Sequence, residues 1–174
     1  PVAADKGLDF IIDFDAALPA QLYTDTLRLQ QVLFNLLSNA FKFTEQGGVT
    51  LRVAIAKGGW QRDHAVLNQA KRVIAFVVSD TGVGIPEDKQ RIIFEAFQQA
   101  DGTTSRRYGG TGLGLSISRE LAHLMGGELS VESQLGEGSS FTYFIPEVFS
   151  AQAPQVEPAN GRPRTGLKQG DDGP

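Results

Sequence analysis

The chain has 174 residues, 41% of them hydrophobic, with a net charge of −4 and no cysteine. One domain is the natural expectation at this length, with a core able to bury roughly two-thirds of the unfolded chain's surface. Disulfides and thiolate metal sites are excluded, no overall basic field invites nucleic acid, and no run of about 18 apolar residues is present to span a membrane. The chain opens on Pro1 with no charged or apolar leader, so it reads as a segment of a longer polypeptide.

In chain order, residues 8–14 alternate apolar and polar and predict a strand. Pro19 marks a turn, and Asp25 is placed to N-cap a helix. Leu29, Val32, Leu33, Leu36, Leu37 and Ala40 recur at spacings of three and four, one apolar face of an amphipathic helix that Gln46-Gly47-Gly48 ends. Val49 to Ala56 and Val73 to Ser79 predict two strands flanking a polar stretch, Lys57 to Arg72, that holds Trp60 and His64. That stretch exceeds a usual hairpin loop, and local packing is the expected role of Trp60. Pro86 predicts the start of a short helix running to about Phe94. Residues 95–109 have little periodicity and predict a mobile loop.

A helix is predicted from Gly112 to about Met125, stopped by Gly126-Gly127. Leu129 to Ser133 and Ser140 to Ile145 predict a hairpin across Gly136-Glu137-Gly138. Residues 151–174 hold four of the eight prolines and almost no bulky apolar side chains. The folded domain is therefore expected over residues 1–148, with a disordered linker or tail over 149–174. This order of elements predicts an α/β fold, a two-layer sandwich whose mixed, mostly antiparallel sheet is covered on one face by helices.

Three motifs carry chemistry. Asn35, Asn39 and Lys42 sit at i, i+4 and i+7, on one helical stripe away from the Leu/Val face. An amide oxygen suits Mg²⁺, and a lysine one turn on can neutralise phosphate; the alternative is a solvated polar face. Asp80 ends an apolar strand and precedes Gly82 and Gly84. A carboxylate there can accept a hydrogen bond from an exocyclic amine such as adenine N6 while the glycines admit the base; the alternative is a plain turn. Gly110-Thr111-Gly112-Leu113-Gly114-Leu115 can present successive N–H groups at a helix start, a place for anions, with Arg106 and Arg107 just upstream. Its pattern is neither the Walker nor the Rossmann one.

With these motifs in this order, the chain resembles the catalytic and ATP-binding domain of bacterial sensor histidine kinases, in the superfamily shared with gyrase, heat-shock chaperones and mismatch-repair ATPases. The resemblance runs from about Lys6 to Pro146. The segment from Asp25 to Thr44 resembles the family's Asn box, and Asp80 to Gly84 its first glycine box. Phe94-Glu95-Ala96-Phe97 resembles its Phe box, Gly110 to Gly114 its second glycine box, and Gly136 to Phe141 its closing hairpin. The wording of residues 97–111 is similar to that of hybrid kinases, which carry a receiver domain downstream.

The resemblance implies a Bergerat-type ATP-binding fold with ATP and Mg²⁺ as ligands. It implies that Asn39 holds Mg²⁺ with Asn35 nearby, that Lys42 touches phosphate, and that Phe43 packs on adenine or ribose. Asp80 would read adenine N6, with Gly82 and Gly84 against the base. Residues 95–111 would form an ATP lid, Arg106 more than Arg107 would meet the γ-phosphate, and Gly110, Thr111, Gly112, Leu113, Gly114 and Leu115 would surround the phosphates. Lid motion would gate the site.

In hydrolysing members of the superfamily a Glu stands where Asn35 does, and an amide cannot act as a general base at neutral pH. The resemblance thus implies phosphoryl transfer, with no certain catalytic side chain in this chain. Neither His64 nor His123 has the setting of an acceptor, so the acceptor histidine is expected on a dimerisation domain N-terminal to Pro1. The implied partners are that domain and a downstream receiver domain or response regulator, with no nucleic acid and no direct membrane contact. The implied location is the cytoplasmic portion of a membrane-anchored sensor. Two rival readings are an ATPase that works as a conformational clamp, and a regulatory module that binds nucleotide without turnover.

Overall fold

A computed structural model describes residues 2–94 and 113–149. A short helix α1 (Val2–Lys6) leads into β1 (Asp9–Phe14), the long helix α2 (Thr26–Phe43) and β2 (Gly48–Ala56). A short helix α3 (Ala65–Gln69) precedes β3 (Val73–Asp80). Then come a 3₁₀ turn (Glu87–Lys89), helix α4 (Leu113–Leu124), β4 (Glu128–Gln134) and β5 (Gly138–Pro146). The strands form one sheet in the order β1-β2-β3-β5-β4. β1 runs parallel to β2, and every other neighbouring pair is antiparallel. This is the mixed, mostly antiparallel sheet that the element order predicts.

The period-2 pattern of β3 divides the interior. Ile74, Phe76 and Val78 point to the face where α2 and α4 lie, and join Val32, Leu36, Ala40, Ala122 and Met125 in the main core. Tyr143 is fully buried there, and its hydroxyl donates to Met125 Sδ at 3.0 Å. Val73 and Ala75 point the other way and pack with Leu67 and Phe144 under the partly buried Trp60 and Val77. The two long helices therefore share one face, while the 57–72 insertion covers part of the second.

Local chemistry sets the helix ends. The Asp25 carboxylate accepts from Arg28 N at 3.2 Å, the N-cap expected from the sequence. At the far end the Lys6 ammonium donates to Phe41 O (2.6 Å) and Thr44 O (2.8 Å), occupying carbonyls that the last turn leaves without helical partners. The expected helix from Pro86 to Phe94 is instead a 3₁₀ turn followed by irregular turns. Gln90 explains this: its amide Nε2 donates to Ile85 O (3.0 Å) and to Ser133 O (2.8 Å), tying the segment to the β4–β5 hairpin. Ile93 is buried beneath it.

The polar stretch also contains α3, which periodicity cannot reveal because five residues make barely one turn. His64 builds it. Its Nδ1 accepts from Leu67 N at 3.2 Å, so Nε2 carries the proton in the neutral ring and donates to Gly127 O at 3.2 Å. Trp60 meets Phe144 edge-on with centroids 5.7 Å apart, and its indole N–H donates to Asn68 Oδ1, the local packing expected of it. His64→Ala is expected to lower stability by about 1 kcal/mol through the lost cap while leaving ligand affinity unchanged. Chemical denaturation beside a ligand titration checks both halves.

The last described residues are stitched to the body. Glu147 N donates to Arg72 O, Arg72 pairs with Glu147 at 2.8 Å, and Phe149 N donates to Tyr23 O. The expected lid at 95–111, Phe97, and the expected tail beyond Phe149 lie outside the described residues.

Candidate functional site

The site is built around the C-terminal half of α2, whose last turn and middle meet different partners. Near its C-terminus lies the turn that follows β3. Val83 N donates to Phe43 O at 3.4 Å, and a Cβ on Gly82 would collide with that same carbonyl oxygen. Thr81 fastens the turn to the head of β2: its hydroxyl donates to Gln46 O and accepts from Gly48 N, each at 3.0 Å. Gly82 is thus the residue that lets the turn lie flat against α2.

Asp80 stands at the end of β3, opposite Val49 on β2 and Ser139 on β5. Its Oδ1 accepts from Gly82 N at 2.9 Å. Burial raises its pKa above the ordinary 3.8, and the backbone N–H groups of Gly82 and Ser139 pull it back in part. A carboxylate held by two N–H donors at the edge of the core keeps lone pairs for a further donor.

A raised pKa has two opposite consequences. The stability contributed by Asp80 is fully present below 3.8 and is lost as pH rises through its raised value. A donor brought to the carboxylate is held best by the ionised form, so ligand binding weakens as pH falls through that value. Melting curves and ligand titrations over one pH series are expected to move in opposite senses there, and Asp80→Asn should flatten the Asp80 part of both.

The turn continues into a hydroxyl network with the hairpin. Ile85 N donates to Ser133 Oγ (2.7 Å), which donates to Gly138 O and lies 2.8 Å from Ser139 Oγ. Gly136 N donates to Val83 O at 2.8 Å. Gly84 has φ +73°, and a Cβ there would run into Gln134 O. In the fold Gly84 lies close against the hairpin backbone. Ser133, Ser139 and Gln90 support the Asp80 turn without having stood out in the sequence, because serines and a glutamine carry no pattern of their own.

The polar stripe runs from the middle of α2 to its C-terminus and meets α4 at Asn35. Asn35, Asn39 and Lys42 are each half-buried, between the core face and solvent. Asn35 Nδ2 donates to Ser118 Oγ (3.2 Å) and reaches Gly114 O (3.4 Å). Lys42 Nζ lies 6.0 Å from the centre of the half-buried Phe43 ring. From Asn35 to Phe43 the helix rises by about 12 Å, so one wall joins the Asp80 turn to the start of α4. Leu115 packs against the main core, and Gly114 has open space where a Cβ would project. Phe94 sits edge-on to Phe141, with the Arg119 guanidinium 5.8 Å from its ring centre. Arg106, Gly110, Thr111 and Gly112 lie outside the described residues, as does the side chain of Leu113.

The structure thus brings Asp80, Gly82 and Phe43 together at the C-terminal end of α2, and Asn35, Gly114 and Ser118 together at its middle. Among the described residues no group of three or more His, Cys, Asp or Glu side chains is placed to hold a metal ion.

Residues 24–148 match the family described as histidine kinase-, DNA gyrase B- and HSP90-like ATPase. The chain is 41% identical over 170 residues to the autoinducer 2 sensor kinase/phosphatase LuxQ of Vibrio vulnificus, covering 98% of this chain and 19% of that protein. It is 43% identical over 141 residues to the signal transduction histidine-protein kinase BarA of Escherichia coli, covering 81% and 14%. Against the circadian input-output histidine kinase CikA of Synechococcus elongatus it is 48% identical over 141 residues, covering 80% and 16%. The chain therefore spans less than a fifth of each of these relatives.

Among solved structures, full-length ShkA in complex with AMPPNP superposes with a TM-score of 0.69 at 36% identity, covering 87% of this chain and 28% of that one. The catalytic domain of the histidine kinase ThkA superposes with a TM-score of 0.60 at 25% identity, covering 84% and 83%. The chain belongs to the histidine kinase-, DNA gyrase B- and HSP90-like ATPase family, as a catalytic, ATP-binding domain of the sensor histidine kinase kind.

Proposed function

We propose that this domain binds ATP with Mg²⁺ and donates the γ-phosphoryl group to a histidine on a separate dimerisation domain of the same polypeptide. The observation that carries the reading is the Asp80 carboxylate, half-buried and held by Gly82 N–H at 2.9 Å beside the Gly82–Phe43 contact. That arrangement suits a flat base with an exocyclic amine. In this reading Asp80 accepts from adenine N6, Phe43 packs on the base or ribose, and Lys42 neutralises phosphate. Arg106 would meet the γ-phosphate, and the backbone amides from Gly112 to Leu115 would serve the phosphate oxygens.

Mg²⁺ fits the donor set. It keeps several waters, takes phosphate oxygens, and needs few protein ligands; the Asn39 amide oxygen supplies one, with Asn35 beside it. Bound there, the ion would neutralise charge on the transferring group. In the reaction the bond from the γ-phosphorus to the bridging oxygen breaks and a phosphorus–nitrogen bond forms on imidazole. ADP leaves, and a base outside this chain takes the imidazole proton. The residues of this chain position and neutralise; none has to move a proton.

Asn35 disfavours release of free phosphate. Its amide cannot take a proton from water, and it is already engaged as a donor toward α4. The clamp-type ATPase reading is therefore the weaker one. LuxQ and BarA are sensor kinases far longer than this chain, which supports a dimerisation domain and a receiver domain or response regulator as partners. No described helix is long and apolar enough to cross a membrane. We place this segment on the cytoplasmic side of a sensor.

The test is to add γ-labelled ATP to this chain mixed with a polypeptide carrying the acceptor domain. The expected product is an acid-labile, alkali-stable label on that polypeptide, absent when this chain is omitted. Steady phosphate release with no labelled histidine would favour the ATPase reading instead.

A further inference from the structure

The contacts of Asn35 point past the nucleotide. Ser118 is fully buried in the seam between α2 and α4, a hydroxyl among apolar side chains. It is satisfied by a directional chain: Asn35 Nδ2–H donates to Ser118 Oγ at 3.2 Å, and Ser118 Oγ–H donates to Gly114 O at 2.7 Å. Asn35 Nδ2 also reaches Gly114 O directly at 3.4 Å. Each donor in such a chain polarises the next. The Gly114 carbonyl therefore takes two side-chain donors besides its place in the first turn of α4.

A peptide unit is planar, with its carbonyl and the following N–H pointing opposite ways. Fixing the Gly114 carbonyl fixes the direction of the Leu115 N–H, which points back toward the start of α4, where the reading above puts the phosphates. We propose that Asn35 and Ser118 form a positioning clamp that aims the Leu115 N–H and holds the start of α4 in register with Asn39, one helical turn along α2. Neither side chain has to touch the nucleotide for this. The proposal rests on the ATP reading above and assigns Asn35 a different part in it.

The same geometry explains why this position suits an amide. A carboxylate has no N–H to begin the chain and would set its oxygens against the Gly114 carbonyl. The buried hydroxyl would then have to abandon one of two acceptors.

The test measures ATP·Mg²⁺ and adenosine binding to the 174-residue chain and to Ser118→Ala, Asn35→Leu and the double variant. Ser118 is the informative position, since it is buried and uncharged. Ser118→Ala is expected to weaken ATP by about fivefold, Asn35→Leu by a similar factor, and the double variant by little more than either. Adenosine affinity is expected to stay near wild type, which a general loosening of the fold would not allow. Ser118→Thr keeps the hydroxyl and is expected to bind ATP more tightly than Ser118→Ala.

Wild-type ATP affinity in Ser118→Ala beside a weakened Asn35→Leu would overturn the clamp and return Asn35 to direct contact. Equal losses for ATP and adenosine would overturn it too. No ATP binding by the wild-type chain would sink the functional reading itself, and the positioning role with it.

Discussion

Asp80→Asn is expected to weaken adenine-nucleotide binding by about 100-fold, the loss of a charge-assisted hydrogen bond together with the conflict that replaces it. The wild-type carboxylate already accepts from Gly82 N–H at 2.9 Å, and any incoming amine must find a second acceptor. An asparagine would keep its one oxygen on Gly82 and turn its NH₂ toward the ligand, donor against donor. Burial works in the variant's favour, because it disfavours the wild-type charge. The fold should therefore survive, with stability changed by no more than about 1 kcal/mol in either direction. A calorimetric titration beside a melting curve separates the two effects. Wild-type affinity in a folded Asp80→Asn variant would remove Asp80 from the site.

Gly84→Ala is expected to be the most damaging of the small substitutions around the site. At φ +73° a residue with a Cβ pays about 1–2 kcal/mol for the backbone conformation alone. The new carbon would also strike Gln134 O and come within 2.9 Å of Leu135 Cα, both backbone atoms of a hairpin that cannot swing aside cheaply. Together these should cost about 3 kcal/mol or more, a fall in melting temperature of roughly 6–12 °C. Nucleotide affinity should fall with it, because Val83 O and Ile85 N on either side of Gly84 anchor the Asp80 turn to the hairpin. Gly114→Ala is the contrast. Nothing lies within 4 Å of its Cβ position, so stability should stay within about 1 kcal/mol of wild type. Equal melting temperatures for Gly84→Ala and wild type would contradict the packing described for the turn.

What the sequence made legible was local. The period of α2, its Asp25 cap, the alternation of β3 and the Gly136–Gly138 hairpin all depend on residues within a few positions of each other, and the fold places each as expected. What it left out depends on distant partners. Lys6 caps α2 through carbonyls 35 and 38 positions away. Asn35 finds Ser118 across 83 positions, and His64 finds Gly127 across 63. The parallel pairing of β1 with β2 is likewise a matter of how α2 returns the chain. The Pro86 segment fails as a helix because the Gln90 side chain reaches the hairpin, a long-range event no periodicity encodes.

The candidate site divides in the same way. Asp80, Gly82 and Phe43 meet at the C-terminal end of α2, and Asn39 and Lys42 lie half-buried along it. Asn35 turns toward α4, a role that residue type alone could not separate from metal binding. Arg106, Gly110 and Gly112 lie outside the described residues, and the sequence motif alone speaks for them.

The most direct measurement is a titration of the chain with ATP in the presence and absence of Mg²⁺, beside Asn39→Ala. Micromolar affinity that strengthens with Mg²⁺ is expected for the wild type, and Asn39→Ala is expected to bind ATP with little response to the ion. Wild-type protein that is folded but binds no ATP under either condition would contradict it.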